Sequence, residues 1–288
     1  MKIDEVALEA GGYGFRVRAY RPTAPGGTAL VWMHGGAFMF GDLDMPEADQ
    51  VGRELAERGV AVVSVDYTLA PLDAVPLLMP PGGPGPDAPL PPPPVSDAPR
   101  ARFPVASLQV VAAFDWAVAT AGPLGADPGR VSIGGASAGG NLAAGAAMRL
   151  RDRDGVRPAS VFLVYPVLHA DVPEADEELG AMLAGPPAFL TFPPAAMKAI
   201  NENYAGGSLD DPYVYPAGHG LRGLSPTYII NAEADRLRMS GEGFAAELAL
   251  AGVDVTVVRE RGTAHGYLNE TGDPAAIRTI ERLTAWLR

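Results

Sequence analysis

The chain has 288 residues, 48% of them hydrophobic, which is enough to bury a large core and suits either one large domain or two small ones. Its 34 acidic and 22 basic residues give a formal net charge of -12, a surface that repels phosphate backbones, so nucleic acid is not an expected partner. Cysteine is absent, which excludes disulfides, thiolate metal sites and a cysteine nucleophile. The four histidines, His34, His169, His219 and His265, lie too far apart for a sequence-local metal site such as H-E-x-x-H.

The opening stretch MKIDEVALEA carries acids and lacks the apolar run of a secretory signal, and no run of about 18 apolar residues follows anywhere. A soluble cytoplasmic protein without membrane contact is expected. KIDEVALEA and GFRVRAYRP alternate apolar and polar residues around GGYG, which predicts an antiparallel hairpin at the start. Apolar, β-branched runs predict strands over 28–34, 60–67, 130–135, 160–166, 227–234 and 253–260, with helices over 46–58, 105–121, 138–152, 240–251 and 274–287. Strands buried on both faces and separated by helices imply an α/β fold with a mostly parallel central sheet and helices on both sides.

Two segments interrupt this alternation. Residues 71–104 hold thirteen of the 29 prolines, too many for a helix or central strand because each fixes φ and removes a donor. They read as an inserted loop, either a surface excursion or a flap and wall at a site. Residues 167–205 place two helix-like pieces and the connector GPPAFLTFPP where one crossover helix would suffice, which predicts a small helical cap. With no internal repeat and no evident linker, the expectation is a single domain over 1–288 carrying both additions.

The chemistry centres on VSIGGASAGGNLAAGAA. Gly135-Ala136-Ser137-Ala138-Gly139 matches G-x-S-x-G between an apolar strand and an alanine-rich helix, so Ser137 is either a helix cap or a nucleophile held on a strained turn. In the second reading the N–H of Ala138, at a helix N-terminus, faces the developing negative charge. A serine needs a base, and the base an orienting acid, in the chain order Ser, Asp or Glu, His. His265 follows the last predicted strand and fits the base. His219 reads as a turn residue, and His169 precedes the acid and so misses the order. Glu233 and Asp235 both lie near a strand end, and Asp235, further into the loop, is the better acid.

An anion-binding loop completes the set. His34-Gly35-Gly36-Ala37 directly follows a strand about a hundred residues before the elbow, and glycines there permit positive φ and close backbone approach, so N–H groups can point at a substrate oxygen. His34 itself reads as structural.

HGGAFMFGD, VSVDYTLAP, DPGRVSIGGASAGGNLAAGAA, VYPVL, AEADRLR and HGYLNE together resemble the hormone-sensitive-lipase-type family of α/β-hydrolases, carboxylesterases that use no cofactor and no metal. The resemblance spans roughly residues 15–287 outside the proline insertion. It implies Ser137 as nucleophile, Asp235 as acid, His265 as base, an oxyanion hole from Gly35, Gly36, Ala37 and Ala138, and short- to medium-chain esters as substrates. Three positions depart from the pattern: Ala37 replaces a third glycine, Ala136 an aspartate, and Leu72 an acid after LAP. Few residues precede the oxyanion strand, so the N-terminal helical cap common in the family is missing and any cap comes mostly from 167–205.

Phe38, Leu168, Phe189 and Phe192 are candidate substrate-binding residues, with Met39, Phe103 and Met182 as further candidates, and each also suits an ordinary core. An amidase or peptidase working through the same three residues, and a non-catalytic small-molecule receptor, are the alternative functions. The expected partner is a small ester, and a homodimer is compatible with these readings.

Overall fold

The apolar runs assemble into one eight-stranded sheet in a computed structural model, which describes residues 1–78, 98–184 and 191–288. The strands are β1 (Lys2–Ala10), β2 (Tyr13–Arg21), β3 (Gly27–Met33), β4 (Val60–Asp66), β5 (Ala126–Ala136), β6 (Val161–Val164), β7 (Thr227–Ala234) and β8 (Val255–Ala264). They lie in the order β1-β2-β4-β3-β5-β6-β7-β8. β2 pairs antiparallel with both neighbours, and every pairing from β4 across to β8 is parallel. The predicted hairpin turns at Gly11 and Gly12, both at positive φ, which glycine adopts without a Cβ clash.

The helices are α1 (Pro46–Glu57), α2 (Val75–Leu78), α3 (Val105–Ala119), α4 (Ala121–Leu124), α5 (Ala138–Asp152), α6 (Glu177–Leu183), α7 (Pro194–Ala205), α8 (Arg238–Leu250) and α9 (Pro274–Leu287). The period-2 alternation of the strands divides the core between the two faces. Ala29, Val31 and Met33 of β3 join the cluster under α3, α5 and α8, while Leu30 and Trp32 join the one under α1 and α9. α5 lies so close to its neighbours that a Cβ at Gly145 would stand 2.2 Å from the Tyr213 carbonyl oxygen, which explains its run of alanine and glycine. α9 begins where Asp273 accepts the N–H groups of Ala275 and Ala276, a cap worth about 1 kcal/mol.

Between β6 and β7 the chain runs through α6 and α7, the two pieces expected of a cap. Asp176 caps α6 by accepting the Leu179 N–H at 2.8 Å, and the same carboxylate oxygen lies 3.4 Å from the fully buried guanidinium of Arg238. Arg238 also donates to the Glu233 carbonyl near the end of β7 (2.9 Å), and Arg259 in the middle of β8 faces Glu178 at 3.5 Å, so ion pairs tie α6 to α8 and β8. At the other end of the cap, Tyr204 of α7 stacks on Phe38 at 4.0 Å between ring centroids.

The middle of the proline insertion, residues 79–97, and Phe189 of the cap connector lie outside the described residues. The insertion's last part returns along the sheet, where Arg100 donates to the carbonyls of Met39 (2.9 Å) and Ala70 (2.8 Å). Among the described residues no helix is long and apolar enough to cross a membrane.

Candidate active site

The loops after β3, β5, β7 and β8 all leave the carboxyl edge of the parallel sheet, where open α/β folds build their sites. Ser137, between β5 and α5, has φ 55° and ψ −119°, a conformation that costs a non-glycine residue about 1–3 kcal/mol. Its N–H donates to the Val164 carbonyl (2.9 Å) and its carbonyl accepts the Asn141 N–H (3.1 Å), so both sides of the turn are held. The flanking glycines are required by space. A Cβ at Gly135 would stand 2.4 Å from the Gly139 carbonyl oxygen, and one at Gly139 would stand 2.2 Å from that of Met33. The Ser137 side chain makes no capping hydrogen bond to α5, and its hydroxyl faces His265 instead.

Ala234 and Ala264 are register partners on β7 and β8, so Asp235 and His265 leave adjacent strands at the same level. His265 Nδ1 lies 2.7 Å from Asp235 Oδ2, and His265 Nε2 lies 2.9 Å from Ser137 Oγ. The side chain of Asp235 is 1% exposed. Its other oxygen accepts the Leu237 N–H at 3.0 Å, which leaves Oδ2 for the imidazole. Because the carboxylate accepts Nδ1–H, Nε2 is the acceptor facing the serine hydroxyl. Burial opposes the imidazolium, but the charge and hydrogen bond of Asp235, with Glu47 behind, outweigh it and hold His265 above the ordinary histidine range. Phe192 and Tyr165 pack against the ring from two sides, each at 4.9 Å between centroids.

The competing residues have other work. Glu233 Oε2 accepts the Gly262 N–H at 2.8 Å and braces the β8 end. Ser240 Oγ accepts the N–H groups of Leu168 and His169, so its own proton goes to His169 Nδ1 (2.9 Å), and His169 Nε2 donates to Glu247 (3.3 Å). That is a clasp between the β6 exit and α8, and burial keeps His169 below its usual range and neutral. His219 closes a turn through its N–H to the Pro216 carbonyl (3.3 Å).

The loop after β3 is the second half of the site. Gly36 at φ 111°, followed by Ala37 and Phe38 at 53° and 63°, folds it into a tight turn in which the Gly36 carbonyl accepts the N–H groups of Met39 and Phe40. The N–H groups of Gly36 and Ala37 find no backbone acceptor among the described residues. His34 is buried and neutral, its pKa pushed down by desolvation. It stacks on Tyr67 and donates from Nδ1 to the Gly35 carbonyl at 2.7 Å, the structural role expected of it. Where a Gly35 Cβ would stand, Ser137 Cβ is 3.0 Å away, so the loop lies directly against the nucleophile turn. A cavity of about 760 Å³ between this loop and the β1–β2 hairpin touches Met39, Phe40 and Gly41 from behind and none of Ser137, Asp235 or His265.

Of the substrate candidates, Phe38 and Leu168 are buried at 1% and 0% exposure within the core, and Phe192 is half-buried over His265. Sequence reasoning missed Tyr165, Glu47 and Asn269, which stand behind the imidazole. Tyr165 donates to Glu47 Oε1 (3.0 Å) and Asn269 to Glu47 Oε2 (3.1 Å).

A serine on a strained strand–helix turn, an imidazole and a buried carboxylate, brought together at the carboxyl edge of a sheet in this order, define an α/β-hydrolase. The family described by the alpha/beta hydrolase fold matches residues 30–80 and 96–269, and the gap between the two matched stretches falls inside the proline insertion. The chain belongs to this family, in its hormone-sensitive-lipase-type branch. It is similar to the carboxylic ester hydrolase LipN of Mycobacterium tuberculosis, 34% identical over 93% of this chain and 65% of LipN. The esterase LipI of the same organism is 30% identical over 100% of this chain and 82% of LipI. Among solved structures, the hyperthermophilic esterase of Pyrobaculum calidifontis superposes with a TM-score of 0.80 at 28% identity, covering 99% of this chain and 82% of that one.

Proposed function

We propose that this protein hydrolyses short- to medium-chain carboxylic esters through Ser137, His265 and Asp235, by way of an acyl-enzyme. The observation that carries the reading is the unbroken hydrogen-bond relay from Ser137 Oγ through His265 to the buried Asp235. His265 Nε2 takes the serine proton as Oγ attacks the ester carbonyl, and Asp235 stabilises the imidazolium that forms. The carbonyl oxygen, now negative, is met by the N–H groups of Gly36, Ala37 and Ala138, with Gly35 keeping the loop close enough to reach. The imidazolium returns its proton to the departing alcohol, leaving Ser137 acylated. Water then attacks the acyl carbon with His265 again as base, which releases the acid and restores the serine.

Phe192, edge-on to the imidazole, is the wall nearest the reacting atoms. The chain is read as a single domain in which α6, Phe192 and α7 form the cap. Rates on p-nitrophenyl acetate, butyrate and octanoate, set against an anilide of the same acids, test the reading. Turnover that is fastest on the shorter esters and at least a hundred times slower on the anilide is expected, and preferred anilide cleavage would make it an amidase instead.

A further inference from the structure

Glu47, at the start of α1, is a carboxylate 2% exposed directly behind the proposed reaction centre. Its two oxygens accept from Tyr165 Oη (3.0 Å) and Asn269 Nδ2 (3.1 Å), and both donors are neutral. Its backbone is held too, since its N–H donates to Asn269 Oδ1 (3.3 Å) and its carbonyl accepts the Trp32 indole N–H (2.8 Å). It therefore joins three parts of the site. The space in front of Gly35 lies 3.1 and 3.2 Å from its oxygens and 3.0 Å from Ser137 Cβ. Tyr165 carries the contact to the imidazole ring, and Asn269 carries it to the His265 loop, where its N–H is bonded to the Gly266 carbonyl (2.9 Å).

A glutamine could keep the Asn269 bond through Oε1 and donate to the Tyr165 hydroxyl, which can accept as well as donate, so hydrogen bonding alone does not call for the charge. Keeping an ionised carboxylate out of water costs several kcal/mol unless something nearby rewards the charge. The titratable groups around it narrow what that is. Burial, then Glu47 itself, pushes Tyr165 and Tyr67 well above the usual phenol range, and burial pushes His34 down, so all three are neutral. Tyr267, on the His265 loop, is likewise protonated by burial. The cation that forms in this part of the site is the His265 imidazolium, on which Asp235 and then Glu47 act as the negative charges.

We propose that Glu47 is a positioning residue of the reaction, a second buried carboxylate that holds the Gly35 and His265 loops in register and places its negative charge behind the Tyr165 and Asn269 side chains that back His265. The proposal rests on His265 acting as the base. The same negative charge opposes the oxyanion, so the rate is the less direct readout and the titration of His265 the more direct one.

The test is a proton-NMR titration of the His265 ring in the full chain, wild type against Glu47→Gln and Glu47→Asp, alongside the pH profile of kcat/KM. Glu47→Gln should lower the His265 midpoint and the acid limb by about one pH unit, as a charge several ångströms away in a partly screened interior does. Glu47→Asp, which keeps the charge, should return both toward wild type. A folded Glu47→Gln with midpoint and acid limb unmoved, or Glu47→Asp no closer to wild type than Glu47→Gln, overturns the proposal. If Glu47→Gln does not fold, carboxyl carbon NMR of Glu47 in the wild-type protein decides. An ionised carboxylate across the His265 midpoint is expected, and a protonated one refutes the charge argument. The titration is read without turnover, so it stands apart from the esterase reading, which fails separately if wild-type protein hydrolyses no ester.

Discussion

Asp235→Asn is the most informative single change, because the structure dictates how an amide must sit there. One carboxylate oxygen accepts the Leu237 N–H at 3.0 Å and the other accepts His265 Nδ1–H at 2.7 Å. An amide has one acceptor oxygen, and the main-chain N–H cannot turn away, so the oxygen stays with Leu237 and the NH₂ faces the imidazole. His265 Nδ1 must then accept, which moves the ring proton to Nε2, and Nε2 can no longer take the proton of Ser137 at 2.9 Å. Loss of the correct tautomer is worth about 10⁴ in kcat, or about 5.4 kcal/mol of barrier. Volume and packing are unchanged, so the melting temperature should stay close to wild type. The assay is kcat on p-nitrophenyl acetate with circular dichroism melting alongside. Glu233→Gln is the control, expected to stay near wild type because that carboxylate serves the Gly262 N–H. A folded Asp235→Asn within tenfold of wild type, or a Glu233→Gln as damaged as it, would refute this assignment of the acid.

Three further outcomes follow from the same geometry. Ser137→Ala should remove ester hydrolysis by several orders of magnitude with little change in melting temperature, since one hydroxyl is lost and no core volume, and steady-state kinetics with a thermal melt check both. Because Asp235 and Glu47 hold His265 above the ordinary histidine range and the base must be neutral, kcat/KM should rise with pH through one ionisation lying above about 6.5. A flat profile from about pH 5 to 8 would contradict it. Gly139→Ala should lower stability by about 1–3 kcal/mol and activity with it, because its methyl would meet the Met33 carbonyl oxygen at 2.2 Å, and urea unfolding measures the loss.

The elements and the elbow were legible because their signals are local. Apolar runs bounded by Gly and Pro carry the strands, and the space that excludes Cβ atoms at Gly135 and Gly139 is written in the motif itself. β5 starts earlier than its apolar core, since the exposed residues from Ala126 carry no alternation and join the sheet through the pairing of Gly27 with Ala126. Asp235 was preferred over Glu233 as candidate acid from loop depth, while the other engagement of Glu233, which reaches across to the Gly262 N–H, needs the β7–β8 pairing. Glu47 was not legible at all. After a proline at a helix start it reads as an ordinary first-turn acid, and its burial comes from partners 118 and 222 residues away. Phe38 and Leu168 were named for their apolar character, which does not distinguish a pocket wall from the core positions they occupy.

The central claim is that Ser137 is a nucleophile activated by His265. Incubation of the full chain with diisopropyl fluorophosphate, followed by peptide mass spectrometry, tests it most directly. One phosphoryl adduct per chain, located on Ser137, absent in Ser137→Ala and formed far more slowly in His265→Ala, is the predicted result. An unlabelled Ser137 in folded wild-type protein, or labelling at the same rate without His265, would contradict it.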